Sequence, residues 1–143
     1  MDIPSYIALI RAERLDDAYK ILFQTNPFPS VCGRVCDHKC QTKCRRGNLD
    51  EPIAIKFLKR FITDQVYAVP RKPVEPSPRP YQQRVAIIGA GPCGLTAAQD
   101  LVRQGYPVSV FEALSVAGGM LRVGVPEYRL PAWIIEREIA DIV

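Results

Sequence analysis

A chain of 143 residues is long enough for one ordinary domain or two small ones, and 48% hydrophobic with 24% charged residues is a globular composition able to bury a core. No apolar run approaches the roughly 18 to 20 residues that cross a bilayer, and Asp2 stands where a secretory leader would carry a basic start, so a cytoplasmic protein without a membrane segment is expected. The net charge of +4 is mild, but residues 34–60 hold eight Lys and Arg against Asp37, Asp50 and Glu51.

In chain order, Asp2 followed by Pro4 reads as a helix start, with Ile7, Leu9 and Ile10 behind it. Leu15, Ala18, Tyr19, Leu22 and Phe23 recur at three and four and predict a second helix, stopped by NPFPS at 26–30. Then comes VCGRVCDHKCQTKC, with Cys32, Cys36, Cys40 and Cys44 at a strict interval of four. After the turn-like RRGN, the stretch PIAIKFLKRFITDQVY opens on Pro52 and sets Ile55, Leu58, Phe61 and Ile62 on one helical face. The first part of the chain, residues 1–69, is expected to be an all-helical domain.

PRKPVEPSPRP at 70–80 has five prolines among charges, so residues 70–83 are expected to be a stiff, extended linker. From residue 84 to 143 the pattern changes. RVAIIGAG reads as a buried strand entering a glycine turn, LTAAQDLVRQG as a helix closed by Gly105, and PVSVFE as a second strand, which together make a βαβ unit. The turn Gly89-Ala90-Gly91-Pro92-Cys93-Gly94 fits G-x-G-x-x-G, and Glu112 lies 23 residues beyond Gly89 at the end of the second strand. Gly89 permits the tight turn, Gly91 lets backbone approach a pyrophosphate, and Gly94 allows helix and strand to pack. Glu112 is placed to accept hydrogen bonds from an adenosine ribose. Strand, turn, helix, strand and acid in register identify a dinucleotide site, which NAD and FAD share. Further on, VAGGMLRVGVPEYRLP at 116–131 is glycine-rich and aperiodic, as expected of a loop laid along a cofactor, and PAWIIEREIADIV reads as a final helix packed by Trp133, Ile134, Ile135, Ile139 and Ile142.

The cysteine row admits several chemistries. Disulfides do not suit a reducing cytoplasm. Zinc would find thiolates and His38, although the row lacks paired C-x-x-C units, and unliganded thiols remain open; His38 itself reads as solvated. A radical-SAM site needs C-x-x-x-C-x-x-C, which is missing. Residues four apart on a helix are about 5 to 6 Å apart at Cβ, but Cys32 and Cys44 would be about 18 Å apart along one axis. Either the segment bends or the row serves two sites with partners from elsewhere. The surrounding cations could lower thiol pKa values and offset an anionic centre, or form a solvated face. Cys93, at the start of the phosphate-binding helix, has no second cysteine nearby for a redox pair.

The loop at 116–131 carries Gly118-Gly119, Leu121, Gly124-Val125-Pro126 and Tyr128-Arg129-Leu130-Pro131. Together with GAGPCGL and NPFPSVCGRVC, it resembles the glutamate synthase small-subunit family, to which the N-terminal region of dihydropyrimidine dehydrogenase belongs. The resemblance covers essentially the whole chain. It implies a helical domain that helps to hold two 4Fe-4S clusters, followed by the opening βαβ part of a Rossmann-like FAD domain, an α plus α/β architecture. It implies FAD at Gly89, Ala90, Gly91, Pro92, Cys93, Gly94 and Glu112, with further contacts from Gly119, Met120 and Arg129. It places Cys36, Cys40 and Cys44 on ligand positions, leaves Cys32 without a role, and puts the remaining ligands upstream of the position of Met1.

The expected function is that of a fragment of an iron–sulfur flavoprotein oxidoreductase. Hydride from NAD(P)H reaches FAD, and electrons leave singly through the clusters to a partner subunit or domain. No residue reads as an acid or base, so none is assigned a catalytic role. Two other classes compete with this expectation: a zinc- or nucleic-acid-binding module using the basic stretch, although nucleic acid is not the expected partner, and an NAD-binding regulatory domain without flavin.

Overall fold

The structure, a computed structural model, describes residues 1–70 and 80–142. The chain divides into two compact units, Met1–Arg71 and Lys72–Val143. The linker expected at 70–83 falls largely outside the described residues.

The first unit is helical. α1 (Ile3–Arg11) is capped by Asp2, whose Oδ1 accepts the Ser5 N–H at 3.1 Å, with Pro4 in the first turn. α2 (Leu15–Thr25) starts with Asp16 and Asp17 at the positive end of its dipole and packs against α1. α5 (Ile55–Ala68) closes the core: Tyr6, Ala18, Tyr19, Leu22, Ile55, Ile62 and Val66 form one buried cluster. Tyr19 stacks on Phe23 at 5.6 Å between centroids and meets Tyr67 edge-on at 5.8 Å.

Against α5 lies α3 (Pro29–Val35), the most extensive helix pairing of the unit. Gly33 makes it possible: a Cβ there would sit 3.1 Å from the Cα of Arg60. Arg34 of α3, its side chain 7% exposed, reaches Asp64 of α5 at 2.6 Å. The face of α5 differs from the expected one. Phe61 is 43% exposed, whereas Lys59, unremarked by apolar spacing, is only 6% exposed. The helix also begins at Ile55, three residues after Pro52.

The second unit contains β1 (Val85–Ile88), α6 (Pro92–Gln104) and β2 (Val108–Phe111), the strands parallel with Val85 opposite Val108 and Ile88 opposite Phe111. α6 has Pro92 at its first turn and ends on Gly105 in the left-handed region, whose N–H bonds back to Val102. It covers one face of the pair; on the other, Ile88 is 92% exposed. The loop at 116–131 is not wholly irregular, since Met120–Val123 forms a helical turn, α7. α8 (Ala132–Ala140) buries Ile134 and Ile135, but Trp133 is 54% exposed and so does not pack the helix as expected.

Candidate cluster and dinucleotide sites

The cysteine row does not form one helix. Cys32 lies within α3, Cys36 ends it in an extended conformation, and His38 then takes a left-handed turn at φ 52°. Cys40 sits on the single-turn α4 (Lys39–Thr42), and Cys44, again extended, precedes a 3-10 turn at Arg45–Asn48. The bends bring backbone N–H groups onto sulfur. The His38 N–H donates to Cys36 Sγ at 3.3 Å. Cys44 Sγ accepts the N–H of Ile53, then those of Arg46 and Gly47, and these bonds hold its thiol below the ordinary value.

The start of α5 is tied to the same segment. Gln41 Oε1 accepts the Lys56 N–H at 2.9 Å. The Tyr6 hydroxyl donates to the Ile55 carbonyl at 3.5 Å; burial raises its pKa well above the ordinary value, and Cys40 adds to the rise. Among the described residues no cysteine is in a disulfide, and Cys40 is exposed. Among the described residues no group of three or more His, Cys, Asp or Glu side chains is gathered to hold a metal ion. His38, expected to be solvated, is half-buried, and its Nδ1 is buried without a hydrogen-bond partner among the described residues.

Cys44, whose sulfur accepts several backbone N–H bonds, is prepared to be a thiolate, the form that ligates iron. The donor set at Cys44 therefore fits a ligand of an iron–sulfur group, and Cys36 has one such N–H, with further ligands needed to complete any cluster. Sequence spacing alone missed Gln41, which lies inside the row but bonds outward to Lys56, and the Ile53 N–H, which enters from outside the row.

In the second unit each glycine of the turn has a distinct task. Gly89 has φ +100°, which favours glycine. A Cβ on Gly94 would lie 2.0 Å from the Gly89 carbonyl oxygen, so this glycine is what lets α6 approach the turn. Gly91 is different. Its φ of −79° suits any residue, and a Cβ there would meet nothing within 4 Å. The chain leaves open space over Gly91, at the N-terminus of a helix of 13 residues, where a phosphate is favoured. Ala90 is buried and Cys93 exposed in the first turn of α6.

Glu112 holds the loop rather than standing free. Its Oε2 accepts the Ala90 N–H at 2.7 Å and its Oε1 the Leu114 N–H at 2.9 Å. These bonds, to Leu114 first and Ala90 second, keep its carboxyl below the usual range. The paired glycines of the later loop close on the turn: the Gly118 N–H donates to the Ala90 carbonyl at 2.8 Å, and a Cβ on Gly119 would lie 2.9 Å from the Gly91 Cα. Met120 is 71% exposed beside this contact and Arg129 is exposed, so the two are not brought onto the turn by packing. A cradle at Gly91 that a side chain would fill, with an acid in register, fits the pyrophosphate and ribose of a dinucleotide.

Comparison with known proteins gives the same division. Residues 1–70 match the family described as dihydropyrimidine dehydrogenase domain II, 4Fe-4S cluster, and residues 87–130 match the NAD(P)-binding Rossmann-like domain. The chain is 44% identical to the NADP(+)-dependent formate dehydrogenase subunit beta of Moorella thermoacetica, over 99% of this chain and 23% of that protein. It is 45% identical to the NADPH-Fe(3+) oxidoreductase subunit beta of Geobacter sulfurreducens, over 100% of this chain and 21% of that one. It is 38% identical to the NAD-dependent dihydropyrimidine dehydrogenase subunit PreT of Escherichia coli, over 99% and 34%. The chain thus spans between about a fifth and a third of the length of these relatives. No helix among the described residues is long and apolar enough to cross a membrane. The helical unit is thus similar, over residues 1–70, to dihydropyrimidine dehydrogenase domain II with its 4Fe-4S cluster, and the second unit is similar, over residues 87–130, to an NAD(P)-binding Rossmann-like domain.

Proposed function

We propose that this chain is the cluster-binding and FAD-binding part of an NAD(P)H-dependent iron–sulfur flavoprotein oxidoreductase, working in the cytoplasm as a subunit of a larger electron-transfer assembly. The observation that carries the reading is the pairing, on one chain, of sulfurs already bonded by backbone N–H groups with a glycine turn left open at Gly91. The relatives named above are oxidoreductase subunits, which supports it.

In this reading Cys36, Cys40 and Cys44 are cluster ligands, joined by others from elsewhere in the protein, and Cys32 is none. Gly89 to Gly94 hold the pyrophosphate, with the α6 dipole opposing its charge, and Glu112 fixes the loop and meets the ribose. Gly119, Met120 and Arg129 border the flavin. A bound flavin takes up a hydride as an electron pair and passes electrons on singly. The protein supplies position and electrostatics, so no side chain here is assigned a proton transfer.

A second reading puts NAD(P) rather than FAD in the Gly91 cradle, and the match of residues 87–130 to NAD(P)-binding domains favours it. Extraction and chromatography of the nucleotide from the full-length protein separates the two. FAD is expected at one per chain, and lost from Gly91→Val while the fold is kept, because the valine fills the pyrophosphate cradle. Nicotinamide nucleotide in place of flavin, or full flavin in the folded variant, would contradict the proposal.

A further inference from the structure

The segment after the cysteine row folds back on the start of α5. Cys44 Sγ accepts the Ile53 N–H, Gln41 Oε1 accepts the Lys56 N–H at 2.9 Å, and a Cβ on Gly47 would stand 3.1 Å from the Pro52 side chain. These contacts draw residues 41–57 into one compact lobe. On it Leu49 is 84% exposed and Phe57 60%; Ile53 is exposed between them in sequence, and Phe61 is exposed one turn further along α5. Large apolar side chains grouped on a surface mark a contact, whereas the same residues scattered singly would not.

The charges beside them say what kind of partner fits. Asp37 is engaged by Lys39 at 3.5 Å, and Asp50 by Arg46. Among the described residues Lys43, Arg45 and Lys56 make no ion pair, and neither does Glu51. The rim that remains is positive, so a second copy of this chain would set like charges against each other, while an acidic surface would be attracted.

We propose that this lobe is the docking surface for a small acidic one-electron carrier protein, with Phe57 and Leu49 as apolar anchors and Lys43 and Arg45 as a steering rim. The proposal rests on the electron-transfer reading above and adds to it the surface and the chemistry of the partner. Four large apolar side chains are too few for the core of an obligate interface, which buries roughly 2,000 Å² or more, and suit a transient redox contact of under about 1,200 Å². The place is apt as well: the Ile53 N–H that bonds Cys44 belongs to the same lobe, so a docked carrier lies against the cysteine-bearing segment.

Biolayer interferometry of the full-length, anaerobically prepared protein against an acidic bacterial ferredoxin tests the proposal. Basic cytochrome c, a single-stranded oligonucleotide and the protein itself serve as rival ligands. Ferredoxin is expected to bind, with an affinity that falls at least tenfold between about 50 and 500 mM salt. The double variant Lys43→Glu, Arg45→Glu should slow association about tenfold and flatten that salt dependence. Phe57→Ser should instead speed dissociation about tenfold and leave association nearly unchanged. Leu49→Ser, at the most exposed anchor, decides in its place if circular dichroism shows that Phe57→Ser does not fold. Ferredoxin binding that ignores all these variants, or no ferredoxin binding by the wild type, would overturn the proposal. Tighter binding of cytochrome c or of the oligonucleotide would do the same, as would self-association that Phe57→Ser abolishes. Iron and flavin analysis of the same preparations reads the electron-transfer assignment separately. A wild type without either would remove that assignment and this inference with it, whereas a loaded protein whose ferredoxin binding ignores the variants would remove the docking surface alone.

Discussion

The glycine turn and the cysteine row solve opposite problems. The turn at 89–94 is local: two strands, one helix and one acid fix it within the 28 residues from Val85 to Glu112, and its glycines can each be assigned a reason from backbone geometry alone. The row at 32–44 is equally compact in sequence, yet its sulfurs stay dispersed, and their N–H partners come from as far as Ile53. A dinucleotide is bound largely by backbone, which one short segment can supply. A cluster is bound by side chains converging from several directions, which one short segment cannot.

The sharpest break of this comparison lies inside the turn. Gly94→Ala puts a Cβ against the Gly89 carbonyl and is expected to destabilise the second unit by on the order of 3 kcal/mol, whereas Gly91→Ala leaves stability nearly unchanged and weakens nucleotide binding. Chemical denaturation alongside calorimetric titration checks both. Equal stability loss at the two glycines would mean that the open space over Gly91 is not a ligand's place.

On the helical side, Gly33→Val must push α3 off the backbone of α5 at Arg60, at a cost of roughly 1 to 3 kcal/mol. Since α3 leads into Cys36, iron retention should fall with it. Thermal unfolding and iron analysis of the same preparation would show this, and a variant with wild-type stability would remove the close contact from the account.

A smaller effect is expected at Glu112. Its folded carboxyl titrates below the ordinary value, so the unfolded chain binds the proton more readily. The stabilisation is fully present above the unfolded pKa, near 4.5, and is lost as pH falls through the folded value. Wild type should be more stable than Glu112→Gln at pH 7, and the difference should shrink on acidification below that range. Urea unfolding at a series of pH values measures it; a gap that widens in acid would contradict the bonds to Leu114 and Ala90.

What could be read in the sequence follows the same line between local and distant causes. Asp2, Pro4, Gly105 and the strand–helix–strand order were legible because a cap, a left-handed glycine and a glycine turn are decided by a few neighbouring residues, whereas the first strand, expected to be buried, alternates between half-buried and exposed. The face of α5 was not. Apolar spacing selects Phe61, but the close approach at Gly33 turns α5 so that Lys59 goes inside and Phe61 is 43% exposed. The breaks at Cys36 and His38 were likewise hidden, since an interval of four imitates a helix and nothing nearby marks the left-handed turn at His38. Trp133 misled for a simpler reason: Ile134 and Ile135 beside it already fill the buried side of α8.

Iron analysis of the full-length protein and its single cysteine variants, with low-temperature EPR, tests most directly the claim that the row is part of a split ligand set. Wild-type protein is expected to hold about eight irons in two four-iron clusters. Cys36→Ala and Cys44→Ala should each lose about half of the iron and abolish different EPR signals, and Cys32→Ala should lose none. Stoichiometric zinc in place of iron, or a cluster that disappears with Cys32→Ala, would contradict the account.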